Sequence, residues 1–358
     1  PEMPGRNRLQ RGDRGARVAL LRRRLWITGD LEGSAKGKPV YDRAVAKAVA
    51  RFQVRHGIPS DGMVGPATLA ALNVPVQLRI RQIQLNLERY RWLPAEFGPR
   101  YIYVNIPDYE LYAYNGGQPA LKMRVVVGDD YENATPVFAD SMRFVVFRPH
   151  WYVPHRILVR EILPRIKRKR SYLVQHNFEV LDAKRESLVL NPRKINWSRV
   201  DATRIRVRQK GGSTTNPLGL VKFVFPNQFA VYLHDTPARE LFNRPKRTLS
   251  HGCVWVEKPV ELADYVLAGQ DDWNDKKIRQ AMLTAHSASS GGRVDGHSVT
   301  LEQPLPVYIV YFTAFVQDGI LNFRRDPYGK DREAIARLGK LRPNEAGLCE
   351  ELQKLVGG

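Results

Sequence analysis

The spacing of apolar residues changes near residue 100, and this change limits the possible folds more than any other feature. Before it, apolar residues recur with a helical period, as in Val18, Leu21 and Leu25, which predicts amphipathic helices. After it, short apolar and aromatic runs such as 101–106 and 123–127 are separated by turn formers, which predicts strands and hairpins. We therefore expect an α+β chain, in which a small helical domain precedes a mainly β sandwich.

Residues 9–75 are predicted to form a module of three short helices. Asp42 is placed to cap the second helix, and Pro66 suits the start of the third. We expect residues 1–8 to form a flexible leader and residues 76–98 to form a linker helix.

The chain is strongly basic, with 57 Lys and Arg against 36 Asp and Glu and a net charge of +21. Residues 155–210 contain 16 of these cations and five acidic residues, and they interrupt the series of predicted strands. We therefore interpret 155–210 as a mixed α/β insertion. A charge of this size predicts a polyanionic partner. Because the chain has no recognisable nucleic-acid-binding motif, we expect that partner not to be nucleic acid.

Two cysteines exclude a disulfide-stapled scaffold. No spacing of His, Cys and Asp is typical of a metal site, so we expect neither metal nor cofactor. The longest apolar run, 307–316, is too short for a membrane-spanning helix, which needs ~20 residues.

One cysteine lies in the sequence Ser250-His251-Gly252-Cys253, and His234 ends a predicted strand upstream of it. A nucleophilic thiol needs an imidazole to accept its proton, and backbone N–H groups to bind the oxyanion that forms. Gly252 would let the chain expose such N–H groups beside Cys253. This pattern favours a reactive thiol over a buried structural one. Cys349, in a polar carboxy-terminal segment without a nearby histidine, is expected to be a bystander.

Several short motifs of the sequence resemble those of two known families. Residues 9–73 resemble the peptidoglycan-binding type 1 domain, with its glycines and the Phe52-Gln53 pair in the usual order. The strand-end histidine followed by Ser-His-Gly-Cys resembles the L,D-transpeptidases, whose catalytic domain is called YkuD. The larger proteobacterial branch of that family is matched further at 135–137, 147–154, 216–223, 233–237 and 305–319.

This resemblance implies a catalytic domain at 99–331 that carries the insertion, and a tail at 332–358. It makes Cys253 the nucleophile and His234 the general base. It also implies that Gly252 and Cys253 supply oxyanion N–H groups. The resemblance further implies that Ser250 and His251 shape the pocket and that Tyr232 lines its wall. Core packing explains Tyr232 equally well.

The implied reaction forms a thioester between Cys253 and a donor stem peptide of peptidoglycan. The acyl group then passes to the side-chain amine of diaminopimelate on an acceptor stem. Stem peptides and glycan strands are the expected partners, and acylation of the cysteine by a carbapenem is expected. The expected location is the periplasm, with any signal sequence removed or absent from this chain.

Trp255 departs from the family pattern, which usually has Arg two residues after the cysteine. An arginine can bind a carboxylate with two parallel hydrogen bonds, whereas tryptophan offers one N–H donor and a flat ring. Either Arg244 or Arg247 replaces that arginine, or the donor differs. A changed donor would favour a 1→3 cross-link, from L-Ala to diaminopimelate, over the usual 3→3 cross-link. Trp151 is a further candidate for the donor groove, with core packing as the alternative.

Two other functions are open at this point. The same Cys–His pair serves an L,D-carboxypeptidase or endopeptidase, in which water rather than an amine resolves the acyl-enzyme. A non-catalytic wall-binding scaffold would retain the fold without the reaction.

Overall fold

The structure is a computed structural model and describes residues 2–129, 132–185, 188–270, 272–284 and 296–338. Its α-helices are α1 Ala16–Ile27, α2 Arg43–Arg55, α3 Pro66–Leu72, α4 Val76–Tyr90, α5 His155–Ile157, α6 Leu163–Arg168, α7 Ser171–Gln175, α8 Pro259–Leu267, α9 Asp275–Leu283 and α10 Lys330–Leu338. A π-helical segment, Leu158–Ile162, joins α5 to α6. None of the helices in the described ranges is long and apolar enough to cross a membrane.

The strands are β1 Arg100–Asn105, β2 Glu110–Asn115, β3 Gln118–Gly128, β4 Phe138–Phe147, β5 Trp151–Tyr152, β6 Phe178–Asp182, β7 Ile205–Gln209, β8 Val221–Val224, β9 Leu233–His234, β10 Thr248–Ser250, β11 Val254–Val256, β12 His297–Val310, β13 Ala314–Gln317 and β14 Ile320–Phe323. The chain divides into two compact units, which are described separately. Among the described residues, the first comprises those of 2–96, 105–108 and 311–338, and the second comprises those of 97–104 and 109–310.

The first unit is built on the three predicted helices. The predicted stripe of Val18, Leu21 and Leu25 on α1 is fully buried. Asp42 caps α2 as predicted, because its side chain accepts the Val45 N–H at 2.9 Å. These local features follow from residues that are near one another in the sequence.

Two expectations about the first unit are wrong. Met3, in the expected flexible leader, is buried, and its N–H donates to the Asn73 side chain at 2.8 Å. Residues 311–338, expected in the catalytic domain and tail, belong to the first unit instead. There Asn86 of α4 accepts the Thr313 N–H at 3.0 Å and donates to its hydroxyl at 2.9 Å. The physical reason is that these polar groups are buried and find their partners far along the chain. Residues 339–358, including Cys349, lie outside the described residues.

The second unit is formed by one nine-stranded sheet in the order β10-β3-β11-β9-β8-β4-β12-β1-β2. β3 is long enough to serve two partners, because residues 118–124 pair with β2 and residues 125–128 pair with β10 and β11. Since β2 also pairs with β1, the sheet returns on itself at β3. With the helical first unit, this architecture confirms the α+β class.

The mixed α/β insertion lies between β4 and β8. It contains a three-stranded sheet in the order β5-β7-β6, together with α5, the π-helical segment, α6 and α7. It also has a hydrophobic core of its own, in which Ile166, Val180 and Val207 are fully buried. The insertion is therefore held together by its own side chains.

Candidate active site

Two very short strands, β9 and β11, lie side by side where the sequence predicted the site. β11 lies between β3 and β9, and its Val254 and Val256 are fully buried in the core. Because residues alternate along a strand, Trp255 points to the opposite face. In the register of the sheet, Trp255 is paired with His234 of β9. The sheet thus places His234 one strand away from the chain that follows Cys253.

The turn that presents Cys253 is held by Ser250. Ser250 is buried, and its hydroxyl accepts the Gly252 N–H at 3.1 Å and donates to the Cys253 carbonyl at 2.5 Å. Gly252 has φ of 112°, a backbone conformation that favours glycine. Because its N–H already donates to Ser250, the N–H of Cys253 is the better placed oxyanion donor of the predicted pair.

Thr135 fixes the turn from the other side. It is fully buried, and its hydroxyl donates to the Gly252 carbonyl at 2.8 Å and accepts the Gly128 N–H at 2.8 Å. One hydroxyl therefore connects the end of β3 to the turn that carries the thiol. The sequence motif at 135–137 marked this residue as similar to the family, but gave no sign of its contact.

The Cys253 thiol lies in a partly enclosed position. Burial raises its pKa, while the neighbouring Tyr232 and the charge of Lys222 act in the opposite direction. Its sulfur also lies 3.9 Å from the Ala230 carbonyl oxygen, which accepts the S–H. Tyr232 lies next to this turn, because its carbonyl accepts the Val254 N–H at 3.1 Å, and its role as a pocket wall stays a prediction.

His234 is buried and its orientation is fixed. Its Nδ1 lies 2.5 Å from the Asp235 carbonyl oxygen, and since a carbonyl can only accept, Nδ1 carries the proton and donates. Nε2 is therefore the ring nitrogen that can accept a proton. Burial is the main cause that lowers the pKa of His234, to about 4, so the ring is neutral at pH 7.

The carboxylate of Asp235 does not orient His234. It accepts the Leu220 N–H at 2.9 Å and an N–H of Arg239 at 3.1 Å. The backbone carbonyl of Asp235 performs the orienting role instead.

His234 lies in β9 and Cys253 in the turn that precedes the neighbouring β11, without a direct hydrogen bond between them. Within the described residues, the thiol donates to the Ala230 carbonyl rather than to His234. The His234 ring centroid lies 5.7 Å from that of Tyr232 and 6.2 Å from that of Trp255. Catalytic hydrogen bonds are often long before substrate binds, so this arrangement is compatible with proton transfer in a complex.

His251 connects the turn to the insertion. Its Nε2 lies 3.3 Å from a carboxylate oxygen of Glu161, which belongs to the π-helical segment. The insertion therefore reaches to within two residues of the thiol.

The remaining predicted site residues are Arg244, Arg247 and Trp151, and their surroundings differ from those of the residues around Cys253. Arg247 donates to the carbonyl oxygens of Val125, Arg244 and Tyr109 at 3.0–3.1 Å, which uses its guanidinium to hold the chain. Arg244 is exposed. Trp151 packs against the insertion's core, with its ring centroid 6.2 Å from that of Phe178. The structure therefore brings none of the three into contact with Cys253.

Comparison with known families matches both units. Residues 99–279 match the model described as the YkuD L,D-transpeptidase catalytic domain, and residues 14–72 match the one described as "Putative peptidoglycan binding domain". A curated protein of Haemophilus influenzae named "Putative L,D-transpeptidase" is 35% identical over 254 residues, covering 71% of this chain and 48% of its own. This chain thus spans about half the length of that relative.

Solved structures with similarity include L,D-transpeptidases of two bacteria. That of Xylanimonas cellulosilytica is 17% identical, with a TM-score of 0.26, and covers 86% of this chain and 100% of its own. That of Stackebrandtia nassauensis is 14% identical, with a TM-score of 0.31, and covers 89% and 99%. Because both TM-scores are low, the assignment rests on the sequence matches. The chain belongs to the YkuD family of L,D-transpeptidase catalytic domains, and it carries a peptidoglycan-binding domain before the catalytic one.

Proposed function

We propose that this protein is a peptidoglycan L,D-transpeptidase in which Cys253 forms a thioester with a donor stem peptide. The observation that carries the proposal is the fixed arrangement of the Cys253 turn beside His234, whose Nδ1–H is bonded to the Asp235 carbonyl. This leaves Nε2 as the acceptor that a general base needs. Membership of the family and the peptidoglycan-binding domain support the choice of substrate.

The first half of the reaction is acylation. His234 Nε2 accepts the proton of the Cys253 thiol, and the sulfur attacks a carbonyl carbon of the donor stem. The Cys253 N–H stabilises the oxyanion that forms. As the carbon–nitrogen bond breaks, the departing residue's nitrogen takes the proton back from His234, which leaves an acyl-thioester.

The second half transfers the acyl group. The side-chain amine of diaminopimelate on an acceptor stem attacks the thioester and loses a proton to His234. A new amide bond forms and the carbon–sulfur bond breaks. The sulfur then regains a proton, which restores the resting enzyme.

Trp255 supports a changed donor site. Its ring lies beside His234, where the family usually has an arginine, and Arg247 is occupied by three carbonyl groups. Since neither Trp255 nor Arg247 then supplies the two hydrogen bonds of the family's arginine, we propose a donor preference that favours 1→3 cross-links over 3→3 cross-links. The exposed Arg244 is the alternative, because its binding of the donor carboxylate would retain the 3→3 donor.

Stem peptides and glycan strands are the proposed partners, and the bacterial periplasm is the proposed location. The basic character of the chain suits a substrate rich in carboxylates, since opposite charges steer encounter.

The test is incubation with purified muropeptides followed by mass spectrometry. Wild-type protein should consume stem peptides and yield cross-linked dimers, whereas Cys253→Ala should yield none. Cys349→Ala changes the chain's second cysteine and serves as the matched control, with products like those of the wild type. Fragmentation of the dimers distinguishes 1→3 from 3→3 linkages, and a pool of 3→3 dimers alone would contradict the changed donor.

Two other outcomes identify the other functions. Shortened stems without dimers would indicate an L,D-carboxypeptidase or endopeptidase that uses the same Cys253. Unchanged products with Cys253→Ala would indicate that this thiol is not the nucleophile.

A further inference from the structure

Lys222 is a charged residue of the site's own sheet that the proposed reaction does not use. In β8, Val221 and Phe223 are fully buried in the core, so Lys222 between them points to the opposite face. It is paired across the sheet with His234, which is paired on its other side with Trp255. Paired residues point to the same face of a sheet, so all three side chains lie on one face.

The ammonium group of Lys222 lies over the ring of Tyr232. Its Nζ is 3.8 Å from the ring centroid, well within the ~6 Å at which a cation is attracted to an aromatic face. Tyr232 lies beside the chain that carries the thiol, because its carbonyl accepts the N–H of Val254, the residue after Cys253, at 3.1 Å. Tyr232 therefore lies between the Lys222 ammonium and the turn that presents Cys253.

The thiol needs a positive charge near it. Burial raises the pKa of Cys253 because a thiolate loses water there. His234 does not provide the charge at rest, since burial lowers its pKa to about 4 and keeps the ring neutral. The charge of Lys222 lowers the pKa of both groups, which favours the thiolate and the neutral imidazole together.

Two acidic groups near the site, those of Asp235 and Glu161, also have partners in the described residues. The Asp235 carboxylate binds the Leu220 N–H and Arg239. On the insertion side, Glu161 faces His251. On β11, the residue that faces His234 is the uncharged Trp255. Among the described residues, Lys222 is a cation whose charge acts on both the thiol and the imidazole.

We propose that Lys222 is a positioning residue, which holds the Tyr232 ring against Cys253 and supplies the positive charge that stabilises the thiolate. This inference rests on the proposed role of Cys253 as nucleophile. It adds that the stabilising cation is a lysine of a neighbouring strand rather than a protonated histidine.

The test measures the thiol directly, without a cell-wall substrate. Iodoacetamide alkylates the thiolate, and the modified Cys253 peptide is quantified by mass spectrometry between about pH 5 and pH 10. Lys222→Met should move the profile to higher pH and slow alkylation at pH 7 by about three- to tenfold, as a pKa rise of up to about one unit requires. Lys222→Arg retains the charge and should keep the wild-type profile.

Lys122 offers a matched control. It is paired with Tyr112 across β2 and β3, and its Nζ lies 5.2 Å from that ring centroid. Lys122→Met therefore removes a similar lysine–tyrosine contact elsewhere, and should leave alkylation of Cys253 unchanged. Lys222→Gln gives a second neutral variant if Lys222→Met does not fold, as judged by its thermal unfolding.

An unchanged profile in folded Lys222→Met or Lys222→Gln would overturn the inference, and so would an equal shift in Lys122→Met. Those results leave the proposed function intact if Cys253→Ala is inactive on muropeptides. An active Cys253→Ala variant would instead overturn the proposed function itself.

Discussion

The Nδ1–H group of His234 donates to the carbonyl oxygen of Asp235, the next residue in the chain, at 2.5 Å. An imidazole held by its own neighbour needs no third side chain to select its tautomer. The contact explains how a buried imidazole keeps one acceptor nitrogen while the adjacent carboxylate serves a structural role with Leu220 and Arg239.

The pH dependence of acylation should reflect the low pKa of His234, about 4. A depressed pKa means that the imidazole is neutral, and able to accept a proton, throughout the range above it. We expect the loss of rate from His234 protonation to occur near pH 4 rather than near the usual value of about 6.5. The rate of carbapenem acylation, followed by intact-protein mass, measures this, and His234→Gln should remove the inflection. A histidine-dependent inflection near pH 6.5 would contradict the prediction.

Thr135→Val should destabilise the site while preserving its shape. Valine has nearly the same volume, but it cannot donate to the Gly252 carbonyl or accept the Gly128 N–H. Leaving buried polar groups without partners costs about 1–3 kcal/mol, so we expect a lower free energy of unfolding in urea and at least about tenfold slower acylation of Cys253. Thr135→Ser keeps the hydroxyl and should behave much like the wild type. Equal behaviour of the valine and serine variants would show that the hydroxyl is unimportant.

Gly252→Ala tests the backbone conformation of the turn without introducing a steric clash. A Cβ at this position would meet the Asn133 carbonyl oxygen at 3.5 Å, an ordinary contact, so the penalty comes from φ of 112°. Such backbone strain costs about 1–3 kcal/mol. Gly117→Ala is the matched control, because Gly117 also has positive φ, of 78°, with open space around it. Both variants should lose thermal stability, but only Gly252→Ala should slow alkylation of Cys253; an equal effect on alkylation would contradict a specific role of the turn.

Variants of Arg244 and Arg247 should have different effects, with Arg247→Ala lowering stability and Arg244→Ala affecting substrate binding. Arg247→Ala removes hydrogen bonds to three carbonyl groups and should lower the free energy of unfolding by about 1–3 kcal/mol. Arg244→Ala removes an exposed side chain and should leave stability within about 0.5 kcal/mol of the wild type. If Arg244 binds the donor carboxylate, its loss should raise KM with little change in kcat. Urea unfolding and steady-state kinetics on the two variants check both statements, and an unchanged KM in Arg244→Ala would remove that residue from the donor site.

The parts of the structure that depend on nearby residues were predictable. The α1 stripe and the Asp42 cap follow from residues within a few positions of one another. The motif also indicated that Cys253 and His234 belong together, because a strand-end histidine before Ser-His-Gly-Cys is an unusual combination. The α+β class followed from the change of hydrophobic period near residue 100.

The remaining contacts depend on strand register and on distant partners. Lys222 lies opposite His234 because of the way β8 and β9 pair, and no local pattern specifies that register. The sequence also does not indicate the contact of Thr135, because its partner is a backbone carbonyl rather than a complementary side chain. The burial of Met3 and the place of residues 311–323 in the first unit were not predicted for the same reason. Their partners lie far away in the sequence.

The bond between Thr135 and Gly252 also bears on the order of assembly. These residues are 117 positions apart, so the turn that presents the thiol is completed only after the chain between them has been synthesised and folded. Until then Cys253 lacks the neighbours that hold its turn in the folded protein. The reactivity that we propose for this thiol therefore depends on the folded chain from Thr135 to Gly252, and a chain truncated between them would not carry it.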